Sequence, residues 1–289
     1  MPEMPDIKVG RYTVYPIKGG CFSLDGGALY GIIPRPLWEK TSPPDSVNRI
    51  RVELRSLLLS GNGRNILVDT GMGIDWPEKS RKIYNYTYSV NPIVESLKTH
   101  GFTAEDITDV VLTHLHFDHT GGAVALENGL RLPQFPRASY YIQKKQFEWA
   151  LKPSDKDKGS FIETTFMPLM EAKTLTLLDG YTKLDDEIEL LVFNGHTRSQ
   201  QLVRVFSGDT SIFYAGDLFP FAYHFKPPCI MAYDLDPLVT LREKDEILRR
   251  AYKEGWIVFF QHDPENTAVT IGKNETGFTV KDTIQIVRT

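Results

Sequence analysis

The chain of 289 residues has only two cysteines, Cys21 and Cys229. Two are too few for a disulfide framework or a cysteine-based metal site, and a reduced, cytosolic setting is the expectation. Positive charge is not in excess either: 33 Lys and Arg stand against 37 Asp and Glu, a formal net charge of −4. A phosphate backbone would meet no basic footprint, so nucleic acid is not an expected partner. No apolar run approaches the length of a bilayer span, and no membrane partner is expected. Residues 1–20 (MPEMPDIKVGRYTVYPIKGG) lack the apolar core and small-residue cleavage pattern of a secretion signal. Internal repeats and low-complexity segments are missing too. What is present is an ordinary globular composition, 41% hydrophobic and 24% charged, in a chain long enough to bury a full core.

Strand and helix patterns alternate along the chain. Ile7, Val9, Tyr12 and Val14 alternate loosely, so residues 7–15 read as a first strand, followed by a Pro- and Gly-rich stretch expected to be irregular. Residues 51–60 and 64–68 flank Gly61-Asn62-Gly63 and predict a hairpin that ends on Asp69-Thr70-Gly71. Asn91 as cap, Pro92 at the first helical position and Gly101 as stop predict a helix over 91–100. His100 then meets the dipole at that helix's end. A short apolar strand over 108–113 delivers residues 114–119, with Gly121-Gly122 and a short helix after them. Next come a strand over 139–142, a helix over 144–151, a solvated charged loop over 152–159, and a helix over 161–172 interrupted by Pro168. Strands follow over 187–193, 201–206, 211–215 and 256–260, with two more after Thr267. The clearest helix covers 237–253, with Leu238, Leu241, Ile247, Leu248 and Ala251 as its apolar stripe. The layout predicts an α+β fold in one domain over 1–289: two mixed sheets face to face with flanking helices.

Seven histidines are present, and three fall in His114-Leu115-His116-Phe117-Asp118-His119. Imidazole and carboxylate donors suit Zn²⁺ or another borderline divalent ion. Four donors in six residues cannot all reach one tetrahedral ion without strain, but they can serve two adjacent ions. His114 and His116 alternate on an extended backbone and project to one side. Asp118 and His119 follow where the chain turns, and Gly121 and Gly122 permit close backbone packing behind the loop. Further donors stand just past apolar strands: His196 in Gly195-His196-Thr197, Asp217 in Gly216-Asp217 and His262 in His262-Asp263. All could gather at one edge of the sheets.

HLHFDH, preceded by VDTG and followed in order by GHT, GD and HD, resembles the metallo-β-lactamase superfamily over roughly residues 50–265. The resemblance implies that superfamily's αβ/βα sandwich. It places His114, His116 and His196 on one metal, Asp118, His119 and His262 on a second, and Asp217 between them. It makes Asp69 a carboxylate that braces a ligand or its loop, and gives Asp118 a further catalytic part in passing a proton to the leaving group. A water or hydroxide between two divalent ions becomes a nucleophile near neutral pH, and the ions polarise the substrate oxygen, so no serine or cysteine nucleophile is required.

Within the superfamily, redox di-iron members typically carry Glu at the position of His116, and RNA-processing members call for a basic surface. The motif HLHFDHTGG and the long segment Gln143–Leu178, which would cover the pocket, are similar to the quorum-quenching lactonases. That likeness implies a metal hydroxide attacking an ester or lactone carbonyl, with an acyl-homoserine lactone as the candidate small-molecule substrate. The alternatives are a phosphotriesterase or aryl esterase, and a non-catalytic metal-bound binding protein. Phe219, Phe221, Tyr223 and Phe225 are the candidates for an apolar pocket, with His224 at its mouth or in the core. Two departures stand out: Arg198-Ser199-Gln200 replaces the usual PGH, placing a positive charge near the site, and Pro220 stands where lactonases often have a tyrosine. Tyr223 is a candidate substitute. Two Zn²⁺ ions fit the donor set, as do Mn²⁺, Fe²⁺ or Co²⁺. Tyr84, Tyr86 and Tyr88 are candidates for a substrate wall, plain packing or the contact of a homodimer.

Overall fold

The computed structural model describes residues 7–284. Its first sheet begins with β1 (Ile7–Val9), β2 (Tyr12–Asp25), β3 (Arg49–Gly61), β4 (Arg64–Val68) and β5 (Asp109–Val111). A separate hairpin of β6 (Val124–Glu127) and β7 (Leu130–Pro133) precedes β8 (Ser139–Gln143) and β9 (Leu175–Leu178), which complete that sheet. The second sheet takes β10 (Thr182–Asp185), β11 (Ile188–Phe193), β12 (Gln200–Ser207), β13 (Thr210–Tyr214), β14 (Ile257–Phe259), β15 (Ala268–Asn274) and β16 (Gly277–Ile284) in chain order. β1 to β4 pair antiparallel, while β4, β5, β8 and β9 run parallel. The second sheet is antiparallel except between β13 and β14.

Among the described residues, eight α-helices connect or flank the strands: α1 (Gly26–Tyr30), α2 (Arg35–Trp38), α3 (Glu78–Tyr84), α4 (Pro92–Thr99), α5 (Phe117–Thr120), α6 (Lys144–Leu151), α7 (Met167–Glu171) and α8 (Pro237–Glu254). α8 joins β13 to its parallel neighbour β14, and Asp236 caps it by accepting from Val239 N at 3.1 Å. Asn91 caps α4 as expected, accepting from Ile93 N at 3.1 Å.

Strand alternation explains the layers. Leu57, Leu59, Ile66, Val68 and Val111 face the second sheet, where they meet Ile188, Val203, Ile212, Tyr214 and Phe259. Their neighbours Leu58, Leu67 and Val110 point the other way, into a core with Ile93 and Leu97 of α4 and Phe147 of α6. These strands read as continuous apolar runs because both faces are buried. Each such side chain contributes about 1.5–3 kcal/mol. On the far side of the second sheet, Phe213 and Val258 pack against Ile247, Leu248 and Ala251 of α8. The architecture is the expected α+β sandwich of two mixed sheets with outer helices.

Several local expectations are corrected. The first strand breaks at Gly10, whose φ of +57° turns the chain, and β2 then continues through Asp25. The Pro- and Gly-rich stretch contains α1 and α2. The helix α5 precedes Gly121-Gly122, and a hairpin rather than a helix follows them. The segment 161–172 forms only a 3₁₀ turn over Glu163–Thr165 and then α7, with Pro168 in its first turn, where no N–H is needed. Leu238 is 66% exposed, so the buried face of α8 is Thr240, Lys244, Ile247, Leu248 and Ala251. The charged run 152–159 is not simply a solvated loop: Asp157 is buried and accepts from Trp149 Nε1 at 2.8 Å and Ser154 Oγ at 2.7 Å. No helix among the described residues is long and apolar enough to cross a membrane.

Candidate metal centre

Parallel β4 and β5 end side by side, delivering Asp69 and, two residues past Leu112, His114. In the second sheet β11, β13 and β14 share one direction, and their ends lead to His196, Asp217 and His262. His116 caps α5, whose single turn carries Asp118 and His119. Glycine makes this crowding possible. A Cβ at Gly121 would lie 2.1 Å from the Met72 carbonyl oxygen, and one at Gly122 2.2 Å from that of Thr70.

The side chains converge as two groups of buried donors. His114, His116, His196 and Asp217 each offer one ligand atom, all within 4.8 Å of one another; Asp118, His119 and His262 form a second such group. Asp217 faces both. Its Oδ2 lies 3.1 Å from His196 Nε2 and 3.9 Å from His114 Nε2, while Oδ1 lies 2.9 Å from His262 Nε2 and 3.4 Å from His119 Nε2. The Nε2 atoms of His114, His119 and His262, with Asp217 Oδ1, are buried without a hydrogen-bond partner. Leaving buried polar atoms unpaired is costly, and inward-facing lone pairs on imidazole and carboxylate are what divalent ions require. The donor set fits the metals.

The outer ring nitrogens of His119, His196 and His262 are held from behind. Asp69 Oδ2 accepts from His119 Nδ1 at 2.8 Å, and Asp69 also accepts from Thr113 N at 2.7 Å and Thr113 Oγ1 at 2.9 Å. Asp69 reaches this position with φ of +59°, an unusual conformation for a non-glycine residue, which ends β4 sharply. Asp234 Oδ1 accepts from His196 Nδ1 at 2.8 Å, and the Glu53 carbonyl accepts from His262 Nδ1 at 2.8 Å. A proton fixed on Nδ1 leaves Nε2 as the metal-facing lone pair. Burial drives the His114 and His116 imidazoles well below their ordinary pKa. Burial opposes the charged form of His119 as well, but Asp118, Asp217 and Asp69 outweigh it and hold that ring well above the usual value. At His196 burial is likewise outweighed, by Asp217 and Asp234, and the pKa rises to about 9.

A cavity of about 210 Å³ opens on these groups. His116, Asp118, His196, Asp217 and His262 form one side, and Leu24, Leu29, Val52, Phe117 and Met231 supply apolar wall. Tyr84, Tyr233 and Ser160 bring hydroxyl groups to it. The sequence-based pocket is thereby corrected. Phe219 is wholly buried among the α8-facing core residues, and Tyr223 lines a different cleft beside Lys226. His224 is buried, its Nε2 3.0 Å from the Leu29 carbonyl oxygen. Arg198 lies with its guanidinium 5.4 Å from the Trp149 ring and does not line the cavity. Of the tyrosine cluster only Tyr84 reaches the cavity; Tyr86 donates to the Gly73 carbonyl and Tyr88 to none of the site's groups. Asp234, Tyr233 and Met231 were missed because they lie in an irregular segment with no spacing signal, 14 or more residues beyond Asp217.

Comparisons with known proteins agree with this geometry. The family model described as the metallo-beta-lactamase superfamily matches residues 55–262. An N-acyl homoserine lactonase of Bacillus thuringiensis is 26% identical over 214 residues, covering 69% of this chain and 77% of that one. A probable metal-dependent hydrolase from Staphylococcus aureus superposes with a TM-score of 0.86 at 24% identity, covering 96% of this chain and 100% of its own. The dizinc quorum-quenching lactonase AidC superposes with a TM-score of 0.80 at 21% identity, covering 97% and 98%. The chain belongs to the metallo-β-lactamase superfamily, among its metal-dependent hydrolases.

Proposed function

We propose that the chain is a dinuclear metal hydrolase that cleaves a small ester or lactone, with an N-acyl homoserine lactone as the first substrate to test. The observation that carries this reading is the division of Asp217 between two donor groups, one carboxylate oxygen toward each. In the reading, His114, His116 and His196 hold one ion, Asp118, His119 and His262 hold the other, and Asp217 bridges. Zn²⁺ suits the donors, and Mn²⁺, Fe²⁺ and Co²⁺ suit them as well. Bound there, two divalent ions supply an activated water at neutral pH and polarise the substrate's carbonyl oxygen.

The protein's own side chains do the rest. The wall of Leu24, Leu29, Val52, Phe117 and Met231 takes the apolar part of the substrate and excludes water from it. Burial, reinforced by the charge of Asp118, holds the Tyr84 hydroxyl above its ordinary pKa, and burial does the same at Tyr233. Both stay protonated at neutral pH and serve as hydrogen-bond donors to a substrate oxygen, the part that Pro220 cannot play. In this reading Asp118, which lines the cavity, takes a proton from the attacking water and gives it to the departing alkoxide. Elemental analysis of protein purified without chelators, with assays on an acyl-homoserine lactone, an aryl ester and a phosphotriester, tests the reading. About two metals per chain with lactone or ester turnover is the expected result. A protein that takes up no metal after reconstitution, or one that turns over only the phosphotriester, would overturn it.

A further inference from the structure

The run Lys152–Gly159, with Ser160 and Phe161 after it, forms a strap whose Gly159 and Ser160 line the cavity. Buried Asp157 fixes its turn through Trp149 and Ser154. At its far end Phe161 pairs with the backbone of His116, and its ring stacks edge-on to the His116 imidazole at 4.8 Å. Near its middle Lys156 reaches away from the strap. Its Nζ donates to the Tyr233 carbonyl at 2.9 Å and to the Asp234 carbonyl at 2.8 Å.

Those two carbonyls belong to the residues with the most to do in that segment. Tyr233 lines the cavity, and the Asp234 carboxylate holds His196 Nδ1. The backbone on either side is fixed by other contacts: Ala232 N donates to the Ala28 carbonyl at 2.8 Å, and Leu235 N to the His196 carbonyl at 3.1 Å. Upstream, the buried ammonium of α8, Lys244 Nζ, donates to the carbonyls of Lys226, Pro227 and Cys229, whereas Lys156 does its holding from an exposed position. Asp234 N donates to the Met231 carbonyl at 3.2 Å and Asp236 N to the Gly195 carbonyl at 2.9 Å, but among the described residues no backbone N–H donates to the carbonyls of Tyr233 and Asp234, so Lys156 holds the carbonyl side of these peptides.

We propose that Lys156 is a positioning residue for the hydrolytic centre: by holding the Tyr233 and Asp234 carbonyls it sets the pocket wall and the orientation of His196 together. The strap then governs two donors of one group, His116 through Phe161 and His196 through Lys156 and Asp234. This rests on the reading of His116 and His196 as ligands of one metal. Lys156 holds carbonyls and does not touch the reacting atoms, so its loss acts through Asp234 rather than on chemistry directly.

The test compares Lys156→Met, which keeps the stem and removes the donor, with Lys156→Arg, which restores one. Zn²⁺ affinity is read by chelator competition, amide exchange follows residues 226–236, and kcat and KM are taken on whichever ester or lactone the wild type hydrolyses. The expected result is a roughly 10-fold weaker affinity for one of two ions in Lys156→Met, as for loss of a partner behind a ligand. Faster exchange at Asp234, Leu235 and Asp236, a lower kcat, and recovery in Lys156→Arg should accompany it, with metal-free thermal unfolding unchanged. Wild-type affinity and exchange in Lys156→Met would overturn the proposal and leave the hydrolase reading intact. Loss of metal-free stability in that variant would assign Lys156 to general support instead. Failure of the wild type itself to bind metal would overturn the hydrolase reading and this proposal with it.

Discussion

Asp69 and Asp234 stand in the same relation to two different histidines, one in each donor group. Each carboxylate accepts the Nδ1 proton at 2.8 Å and so turns Nε2 inward. Asparagine at position 69 would keep an oxygen for Thr113 N but present an amide N–H to His119, forcing the proton onto the metal-facing nitrogen. On the proposed ligand assignment, Asp69→Asn is therefore expected to weaken binding of the ion assigned to Asp118, His119 and His262 by about 10–100-fold, and Asp234→Asn that of the ion assigned to His114, His116 and His196. Chelator titrations that resolve the two ions check this, since each variant should lose one ion well before the other. Equal weakening of both ions in both variants would refute the pairing of carboxylate to site. Asp217→Ala removes the one carboxylate that faces both groups, and both ions should be lost together with activity. The sequence made these ligand candidates visible because each follows the end of an apolar strand and the motif order repeats a known pattern. Asp234 offered neither cue. It is one acidic residue in an irregular segment, brought to His196 only by the path from β13 to α8.

At the scale of elements, strands and long helices were legible and irregular connections were not. β3, β4, β11 and β12 announce themselves by apolar runs with turn residues between them, and α8 by the helical spacing of Ile247, Leu248 and Ala251. The pocket wall is not legible near Asp217 in the sequence because it comes from β2, α1, β3, α5 and the 231–233 segment. The stripe on α8 was misread because its buried face contains Lys244, a charged residue that periodicity of apolar side chains passes over. That lysine carries its own prediction. Burial disfavours its ammonium and lowers its pKa from 10.5 to about 8. Below pH 8 both folded and unfolded chains hold the proton, and the folded state bears the full cost of burying the charge. Between about pH 8 and 10.5 the unfolded chain binds more protons, so this group's contribution to stability rises with pH, by on the order of 3 kcal/mol in all. Denaturant unfolding of wild type and Lys244→Met at pH 7 and pH 10 reads it as a difference. The wild type should gain relative to the variant at the higher pH, because the neutral amine still donates to the carbonyls of Cys229 and its neighbours. A constant difference would mean that the ammonium is better solvated than its surroundings indicate.

Across the whole molecule, the two donor groups join the sheets. The first sheet and the loops after it supply Asp69, His114, His116, Asp118 and His119; the second supplies His196, Asp217 and His262. The contact between sheets is largely apolar and stops short of this edge, where His114, His116, His119 and His262 are buried with Nε2 unpaired. Metals bound here tie one sheet to the other and relieve those unpaired groups only in the folded state. Binding to the native state alone stabilises by RT ln(1 + [M]/Kd), about 4 kcal/mol per ion at 1,000 times Kd. Thermal unfolding with Zn²⁺ and after exhaustive chelation should therefore differ by several degrees or more. The melting temperature should also climb with the logarithm of free metal. The apolar layers on both faces of each sheet do not depend on the ions, so the chelated protein should still unfold cooperatively. An unchanged melting temperature would mean that the donors are no more ordered for metal in the folded chain than in the unfolded one, and the dinuclear reading would fail at its root. Loss of cooperative unfolding on chelation would carry a different message: the apolar layer between the sheets is insufficient alone, and the metals hold the sandwich closed as well as serving its chemistry.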